Sequence, residues 1–133
     1  MDLKILEIAS NTENNKIIEN FTHLAKRKNP ICGDEIQISL KVVNNKILDF
    51  GYQSKSCIYC QASASLLSKN IKNKKINIIR ELIKNIDTFF IYNSHQLLKK
   101  WPKFKFLFNK KNISRKDCLL LPFTTLSKAL KNE

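Results

Sequence analysis

Apolar and polar positions alternate over residues 36–42. This period of two predicts a β-strand with one face in solvent, because successive side chains of a strand point to opposite faces. Asn44-Asn45 follows directly and predicts a hairpin turn, since asparagine tolerates a positive φ. A second strand is predicted over residues 46–53, and a short third strand reaching Cys57.

Most of the remaining chain has apolar residues at helical spacing, broken by a few turn signals. We predict helices over residues 2–10, 15–27, from Tyr59 through QASASLLSKNI, 75–89, 92–100 and 119–131. Asn29-Pro30 ends the second helix, because proline disfavours helix at the preceding residue. The Lys/Asn-rich segment 69–75 is expected to be a solvated connection. The pattern predicts an α+β fold, in which a small antiparallel three-stranded sheet packs against several helices.

Length and composition set further limits. The chain has 133 residues, of which 43% are hydrophobic, so we expect a single domain over residues 1–133 with its own core. No run of about eighteen apolar residues predicts a membrane span. The first residues, MDLKILEIASNTENN, carry acids and lack the apolar length of a secretory signal. We therefore expect a cytoplasmic protein, whose four cysteines indicate metal or thiol chemistry rather than disulfides.

The formal net charge is +13, which is typical of proteins that bind nucleic acid. However, the lysines are scattered along the chain and only three arginines are present. Residues 99–111, KKWPKFKFLFNKK, interleave aromatics with lysines and either stack bases or pack their aromatics inside. A basic nucleic-acid-binding module is therefore the weakest functional hypothesis. The charge is better explained by attraction to an acidic protein partner, and we expect no specific nucleic-acid binding.

The cysteines lie mostly at the boundaries of predicted elements. Cys32 lies in the loop before the first strand, Cys57 lies where the strands give way to a helix, and Cys118 directly precedes the last helix. Cys60 follows Cys57 by one helical turn. A helix N-terminus favours a thiolate, so these positions indicate a metal or sulfur-handling site.

The stretch NPICGD at residues 29–34 places a cysteine and a carboxylate on either side of Gly33. Glycine frees the backbone there, so that both side chains can face one point. This stretch, followed by Cys57-x4-Ala-Ser-Ala-Ser and a last cysteine before a C-terminal helix, resembles the IscU/NifU-type iron–sulfur cluster assembly scaffolds over roughly residues 10–131. The long gap between Cys57 and Cys118, with an arginine three residues before the latter, is most similar to the SufU-like branch.

The resemblance implies a SufE/NifU-like fold and a shared site of Cys32, Asp34, Cys57 and Cys118. Residues of these types hold Zn²⁺ in SufU-like members and build a transient [2Fe–2S] cluster in IscU-like members, and soft thiolates suit both. The implied function is a scaffold that accepts sulfur from a cysteine desulfurase and supplies recipient apo iron–sulfur proteins. The alternative is a zinc-dependent sulfurtransferase that holds no cluster. A scaffold or sulfur carrier is favoured over a stand-alone enzyme.

The sequence also predicts roles, or alternative roles, for individual residues at and near these positions. We predict Cys118 as the sulfur acceptor, because the basic segment 110–116 beside it is expected to lower the pKa of its thiol. Cys60 is either a buried small residue or a resolving or sulfur-carrying thiol. Arg115 contacts a partner, influences the nearby thiolate or is a solvated charge. Asp117 stands where IscU-like members carry histidine, and their Leu-Pro-Pro-Val-Lys chaperone-docking motif is missing.

The two histidines do not indicate another enzyme. His23 is predicted on the N-terminal helix, and His95 near the start of a later helix. We expect each to be a surface histidine or one with satisfied hydrogen bonds, since no Ser/His/Asp or Cys/His spacing is evident.

Overall fold

The structure is a computed structural model, which describes residues 3–92 and 96–131. These residues form five α-helices, four β-strands and, near the end, two 3₁₀ segments. In chain order they are α1 (Leu3–Ser10), β1 (His23–Lys28), β2 (Glu35–Val43), β3 (Lys46–Lys55), α2 (Ile58–Ile71), β4 (Lys74–Lys75), α3 (Ile76–Tyr92), α4 (Gln96–Lys100), η1 (Pro102–Phe106), η2 (Lys110–Arg115) and α5 (Lys116–Ala129). No helix among the described residues is long and apolar enough to cross a membrane. His95 lies outside the described residues.

The four strands form one antiparallel sheet in the order β1-β2-β3-β4. The α+β class and the β2–β3 hairpin are confirmed, and Asn44 and Asn45 both have positive φ at its turn. The predicted strand count of three is wrong for two reasons. The short third strand is only the end of β3, which runs without interruption to Lys55, whereas β1 and β4 add two strands at the edges of the sheet.

The predicted helix over residues 15–27 is wrong. Its second half is β1, which pairs with β2 so that Ala25 faces Ile38. Of its apolar residues, Phe21 and Leu24 are about two-fifths exposed, at 44% and 43%, and so do not form a buried helical stripe. Pairing with β2 therefore outweighs the local helical spacing, since secondary-structure propensity yields to tertiary context.

The segment before β1 lies against the sheet and α2. The Ile18 N–H donates to Ser39 Oγ on β2 at 3.1 Å. A Cβ at Gly51 on β3 would lie 2.2 Å from the Lys16 carbonyl oxygen, so only glycine allows this approach. Nearby, Asn14 Nδ2 donates to Ser68 Oγ of α2 at 3.0 Å. Residues 14–18 are thus fixed against the sheet and α2.

Helices α2 and α5 pack together, and α5 also contacts β1 and β2. An aromatic cluster packs against α5, where Phe104 and Phe108 contact Phe123 with ring centroids 5.9 and 5.7 Å apart. Phe104 and Phe108 of segment 99–111 are thus in the core, Trp101 and Phe106 are half-buried, and the lysines of the segment are exposed. Of the two interpretations of this segment, the structure supports packing rather than base stacking.

Candidate metal centre

The loop between β1 and β2 is closed by Asn29. The Asn29 N–H donates to the Asp34 carbonyl at 2.7 Å, and the Gly33 N–H donates to the Asn29 carbonyl at 2.8 Å. The side chain of Asn29 accepts a third bond, from the Ile31 N–H at 2.9 Å. Gly33 has φ +77°, and a Cβ there would meet nothing within 4 Å. Glycine is needed here for its left-handed backbone conformation, as the sequence predicts.

This loop and the first turn of α5 bring three ligand atoms together. One atom each from the Cys32 thiol, the Asp34 carboxylate and the Cys118 thiol lies within 4.8 Å of the other two. Cys32 is exposed, whereas Asp34 and Cys118 are each only 7% exposed. The group therefore reaches the protein surface at Cys32, while Asp34 and Cys118 lie beneath it.

Cys57 borders this group without belonging to it. It is the N-cap of α2 and is partly buried. Its backbone N–H donates to Asp34 Oδ1 at 3.1 Å, which ties the start of α2 to the loop. Of the four predicted site residues, the structure thus brings three into one group and places the fourth beside it.

Asp34 Oδ2 is buried and has no hydrogen-bond partner among the described residues. A buried polar atom without a partner is unfavourable, and a bound cation would satisfy it. Two thiols and a carboxylate, with a third thiol at the border, are donors that suit Zn²⁺ or iron. The residues present therefore fit the metal that the resemblance implies.

The electrostatics of Cys118 differ from the prediction. Burial, followed by interactions with the neighbouring Cys57 and Asp34, raises the pKa of the Cys118 thiol. The predicted lowering of that pKa by segment 110–116 is wrong, because burial of the thiol and its interactions with Cys57 and Asp34 raise the pKa instead. In the absence of metal this thiol is therefore protonated at neutral pH.

Cys60 is fully buried on α2, and burial raises the pKa of its thiol to about 12. This agrees with the interpretation of Cys60 as a buried small residue.

Arg115 is exposed, and its guanidinium lies over the ring of Tyr59 at 5.2 Å, which links the segment before α5 to the start of α2. This contact of Tyr59 is not predicted from the sequence, although Tyr59 lies only two residues after Cys57. His23 begins β1 rather than lying on a helix, and its ring contacts Thr22 Oγ1 at 2.7 Å.

Comparison with known proteins found a matching family model and similar proteins of known name. Residues 2–91 match the family model of the NifU-like N-terminal domain. The chain is 29% identical over 138 residues to the iron–sulfur cluster assembly scaffold protein IscU of Thermotoga maritima, covering 96% of this chain and 89% of that protein. It is also 32% identical over 62 residues to the zinc-dependent sulfurtransferase SufU of Bacillus subtilis, covering 47% of this chain and 42% of that protein.

Two solved structures share the fold. A protein of Fervidobacterium islandicum, described as an iron–sulfur cluster assembly scaffold for the SUF system, superposes with a TM-score of 0.86 at 26% identity, covering 98% of this chain and 96% of that one. A NifU-like N-terminal protein of Brucella abortus superposes with a TM-score of 0.81 at 20% identity, covering 98% and 91%.

Proposed function

Because the chain belongs to the NifU-like N-terminal domain family, we propose that it is an iron–sulfur cluster assembly scaffold that accepts sulfur from a cysteine desulfurase. The observation that carries this proposal is the approach of Cys32, Asp34 and Cys118 within 4.8 Å at the surface. Thiolates hold the iron of an iron–sulfur cluster, and the exposed Cys32 side of the group gives a partner access. The similarity to a scaffold protein over 89% of its length supports the same function.

The proposed ligands are Cys32, Asp34, Cys57 and Cys118. The first two come from a loop held by its own hydrogen bonds, Cys57 from the N-cap of α2 and Cys118 from the first turn of α5. Three thiolates bind a soft metal firmly, while one carboxylate is a harder and more exchangeable ligand. A transient [2Fe–2S] cluster is the cargo of this site, and recipient apo iron–sulfur proteins are its destination. We place this activity in the cytoplasm, where thiols stay reduced.

Cys118 is the proposed sulfur acceptor. Its thiolate attacks the outer sulfur of the persulfide on the desulfurase, the S–S bond breaks, and the donor cysteine leaves as a thiolate. The persulfide with its proton is then on Cys118, and no net oxidation occurs. A metal cation bound beside Cys118 would favour its deprotonated form, which burial disfavours. Cys32 is the alternative acceptor, because it is the exposed thiol of the group.

A zinc-dependent sulfurtransferase is the second candidate. The similarity to the SufU of Bacillus subtilis favours it, although the matched region covers only 47% of this chain. The same four residues would then hold Zn²⁺ permanently, and the sulfur would pass on as a persulfide without a cluster.

The test uses anaerobically purified protein, incubated with ferrous iron, cysteine and a cysteine desulfurase, with a thiol reductant added in the cluster assay to convert persulfide sulfur to sulfide and left out when the persulfide is mapped. A scaffold is expected to turn brown and to contain iron and sulfide in equal amounts. A colourless protein with one zinc and a persulfide would establish the sulfurtransferase instead. Differential alkylation with mass spectrometry locates the persulfide, which we expect on Cys118. A persulfide on Cys32 would identify Cys32 as the sulfur acceptor instead. A protein with neither metal nor persulfide would contradict both functions.

A further inference from the structure

Cys60 is the cysteine to which the proposed function gives no role. With Cys57 it forms a Cys-x-x-Cys motif, which at the start of a helix is typical of proteins that exchange thiols and disulfides. The motif has that position here, because Cys57 is the N-cap of α2 and its carbonyl accepts the Gln61 N–H at 3.0 Å. The two cysteines therefore span the first turn of α2.

This turn holds the two cysteines at a distance that suits a disulfide. Residues three apart in a helical turn have Cα atoms about 5 Å apart, within the range of about 4.4–6.8 Å that a disulfide requires. The Cys60 thiol also lies close to the metal centre. Burial is the main cause that raises its pKa, and the nearby charges of Asp34, Cys57 and Cys32 add to the effect. A disulfide between Cys57 and Cys60 therefore fits the first turn of α2.

Cys57 also lies beside Cys118, the proposed sulfur acceptor. The Cys57 N–H donates to Asp34 Oδ1 at 3.1 Å, and an oxygen of the same carboxylate lies within 4.8 Å of the Cys118 sulfur. After burial, the interactions with Cys57 contribute most to the raised pKa of the Cys118 thiol. When Cys118 carries a persulfide, its Sγ is the inner sulfur. Cys57 therefore lies between the sulfur that would be attacked and the second thiol of the motif.

We propose that Cys57 and Cys60 together reduce a persulfide on Cys118 and release its outer sulfur as sulfide at the metal centre. This inference rests on the proposed function, which places the persulfide on Cys118. It adds a reductase activity, for which the protein supplies both electrons from its own two thiols.

The reaction has two thiol–disulfide exchange steps. In the first, Cys57 attacks Sγ of Cys118, the S–S bond of the persulfide breaks, and hydrosulfide leaves and takes the Cys57 proton. In the second, Cys60 attacks Sγ of Cys57, the bond between Cys57 and Cys118 breaks, and the Cys118 thiolate takes the Cys60 proton. Two thiols are thereby oxidised to a disulfide, and one persulfide is reduced to a thiol and hydrogen sulfide. A dithiol reductant then returns Cys57 and Cys60 to thiols.

The position of each thiol suits its step. Attack on the outer sulfur would only move the persulfide to Cys57, whereas attack on Sγ, beside which Cys57 lies, expels sulfide. Cys60 is fully buried and needs no access to solvent, since it reacts only with Cys57 in the same helical turn. Its step frees Cys118 to accept another sulfur. A [2Fe–2S] cluster contains two sulfides, so an acceptor that is freed after each transfer can supply both.

The test uses the full-length metal-free protein, in which no metal holds Cys57. A cysteine desulfurase is charged with sulfur, freed of cysteine and added in excess, anaerobically and without reductant. Wild type is expected to release about one sulfide per protein, to form the Cys57–Cys60 disulfide and then to carry a second sulfur on Cys118. Released sulfide is measured colorimetrically, and mass spectrometry of alkylated peptides maps the disulfide and the persulfide.

Variants separate the two steps. Cys60→Ser and Cys60→Ala should release one sulfide, stop as the Cys57–Cys118 disulfide and accept no second sulfur. Cys57→Ser should keep the persulfide on Cys118 and release no sulfide. Bound zinc and the midpoint of urea unfolding are measured for both Cys60 variants, and wild-type values in either variant show that the change lies in the thiol chemistry.

The outcomes distinguish this inference from the proposed function. If wild type accepts sulfur but releases no sulfide, or stops as the Cys57–Cys118 disulfide, the inference is wrong and the proposed function stands. Cys60 variants that accept a second sulfur as wild type does would also overturn the inference. If the desulfurase transfers no sulfur to wild type, the proposed function fails. Inorganic polysulfide then charges Cys118 directly, and the same disulfide map decides whether Cys57 and Cys60 reduce the persulfide.

Discussion

The two carboxylate oxygens of Asp34 are in different situations. Oδ1 accepts the Cys57 N–H at 3.1 Å, whereas Oδ2 is buried without a hydrogen-bond partner among the described residues. We predict that Asp34→Asn has opposite effects on the metal-free and the metal-bound protein. The substitution should stabilise the metal-free protein, and it should reduce the additional stability that the protein gains when metal binds.

The magnitude in the metal-free protein follows from the buried oxygen. Leaving a buried polar atom unsatisfied costs about 1–3 kcal/mol. Asparagine keeps an oxygen for the Cys57 N–H and replaces the second oxygen by an NH₂ group, which can donate to a neighbouring sulfur. We expect the free energy of unfolding to rise by about 1 kcal/mol, which for a domain of this size raises the melting temperature by about 3–5 °C.

With metal the sign reverses, because a neutral amide is a weaker ligand than a carboxylate. A tenfold to hundredfold loss of affinity, as is typical when the ligand environment of a metal is weakened, removes about 1.4–2.7 kcal/mol of metal-dependent stability. The increase in melting temperature on adding Zn²⁺ should therefore be smaller for Asp34→Asn than for wild type, by about 4–13 °C.

The assay is thermal unfolding followed by circular dichroism, under reducing conditions, with either EDTA or excess Zn²⁺. Glu19→Gln is the control, because it makes the same change in net charge at an exposed carboxylate. It should alter neither the metal-free stability nor the effect of zinc. A metal-free Asp34→Asn protein no more stable than wild type, or an unchanged effect of zinc, would refute the reasoning.

Two further predictions test the ligands and the fold. Serine substitution of each proposed cysteine ligand should sharply lower bound metal, measured by elemental analysis: Cys32→Ser, Cys57→Ser and Cys118→Ser. Cys60→Ser is the matched control, and a loss of metal there as large as in Cys57→Ser would contradict the ligand assignment. Gly51→Ala should lower the free energy of unfolding in urea by about 1–3 kcal/mol, since the new Cβ would lie 2.2 Å from the Lys16 carbonyl oxygen. A Cβ at Gly33 would meet no atom within 4 Å, so Gly33→Ala should lower the free energy of unfolding only by the cost of a left-handed backbone for alanine, about 1 kcal/mol. If Gly51→Ala and Gly33→Ala lowered the free energy of unfolding equally, the contact between the new Cβ at position 51 and the Lys16 carbonyl would have to be relieved by a shift of the backbone.

The β2–β3 hairpin was predictable because its signals are local. Alternation places Ile36, Ile38 and Leu40 on the core face, and all three are fully buried. Strand β1 was not predictable, since only Ala25 of its residues is buried and its conformation depends on pairing with β2. β4 is two lysines long and likewise exists only through its pairing with β3.

In the candidate site, too, features set by local sequence were predictable and features set by tertiary packing were not. The grouping of Cys32, Asp34 and Cys118 was expected from motif resemblance, and the backbone conformation of Gly33 from the properties of glycine. The raised pKa of the Cys118 thiol was not, because burial follows from the packing of α5 on the sheet and α2. The exposure of Ile31 also depends on how the loop folds around Asn29 rather than on its apolar character.

The position of β1 at the edge of the sheet has a consequence for self-association. An edge strand exposes unpaired N–H and C=O groups, with which a second copy of the chain could extend the sheet. Here three consecutive cations, Lys26, Arg27 and Lys28, occupy that edge, and Lys128 Nζ of α5 donates to the Lys26 carbonyl at 3.0 Å. Two such edges repel each other, and one of the open carbonyls is already occupied. The positive charge that suits an acidic partner thereby also protects the protein against edge-to-edge aggregation.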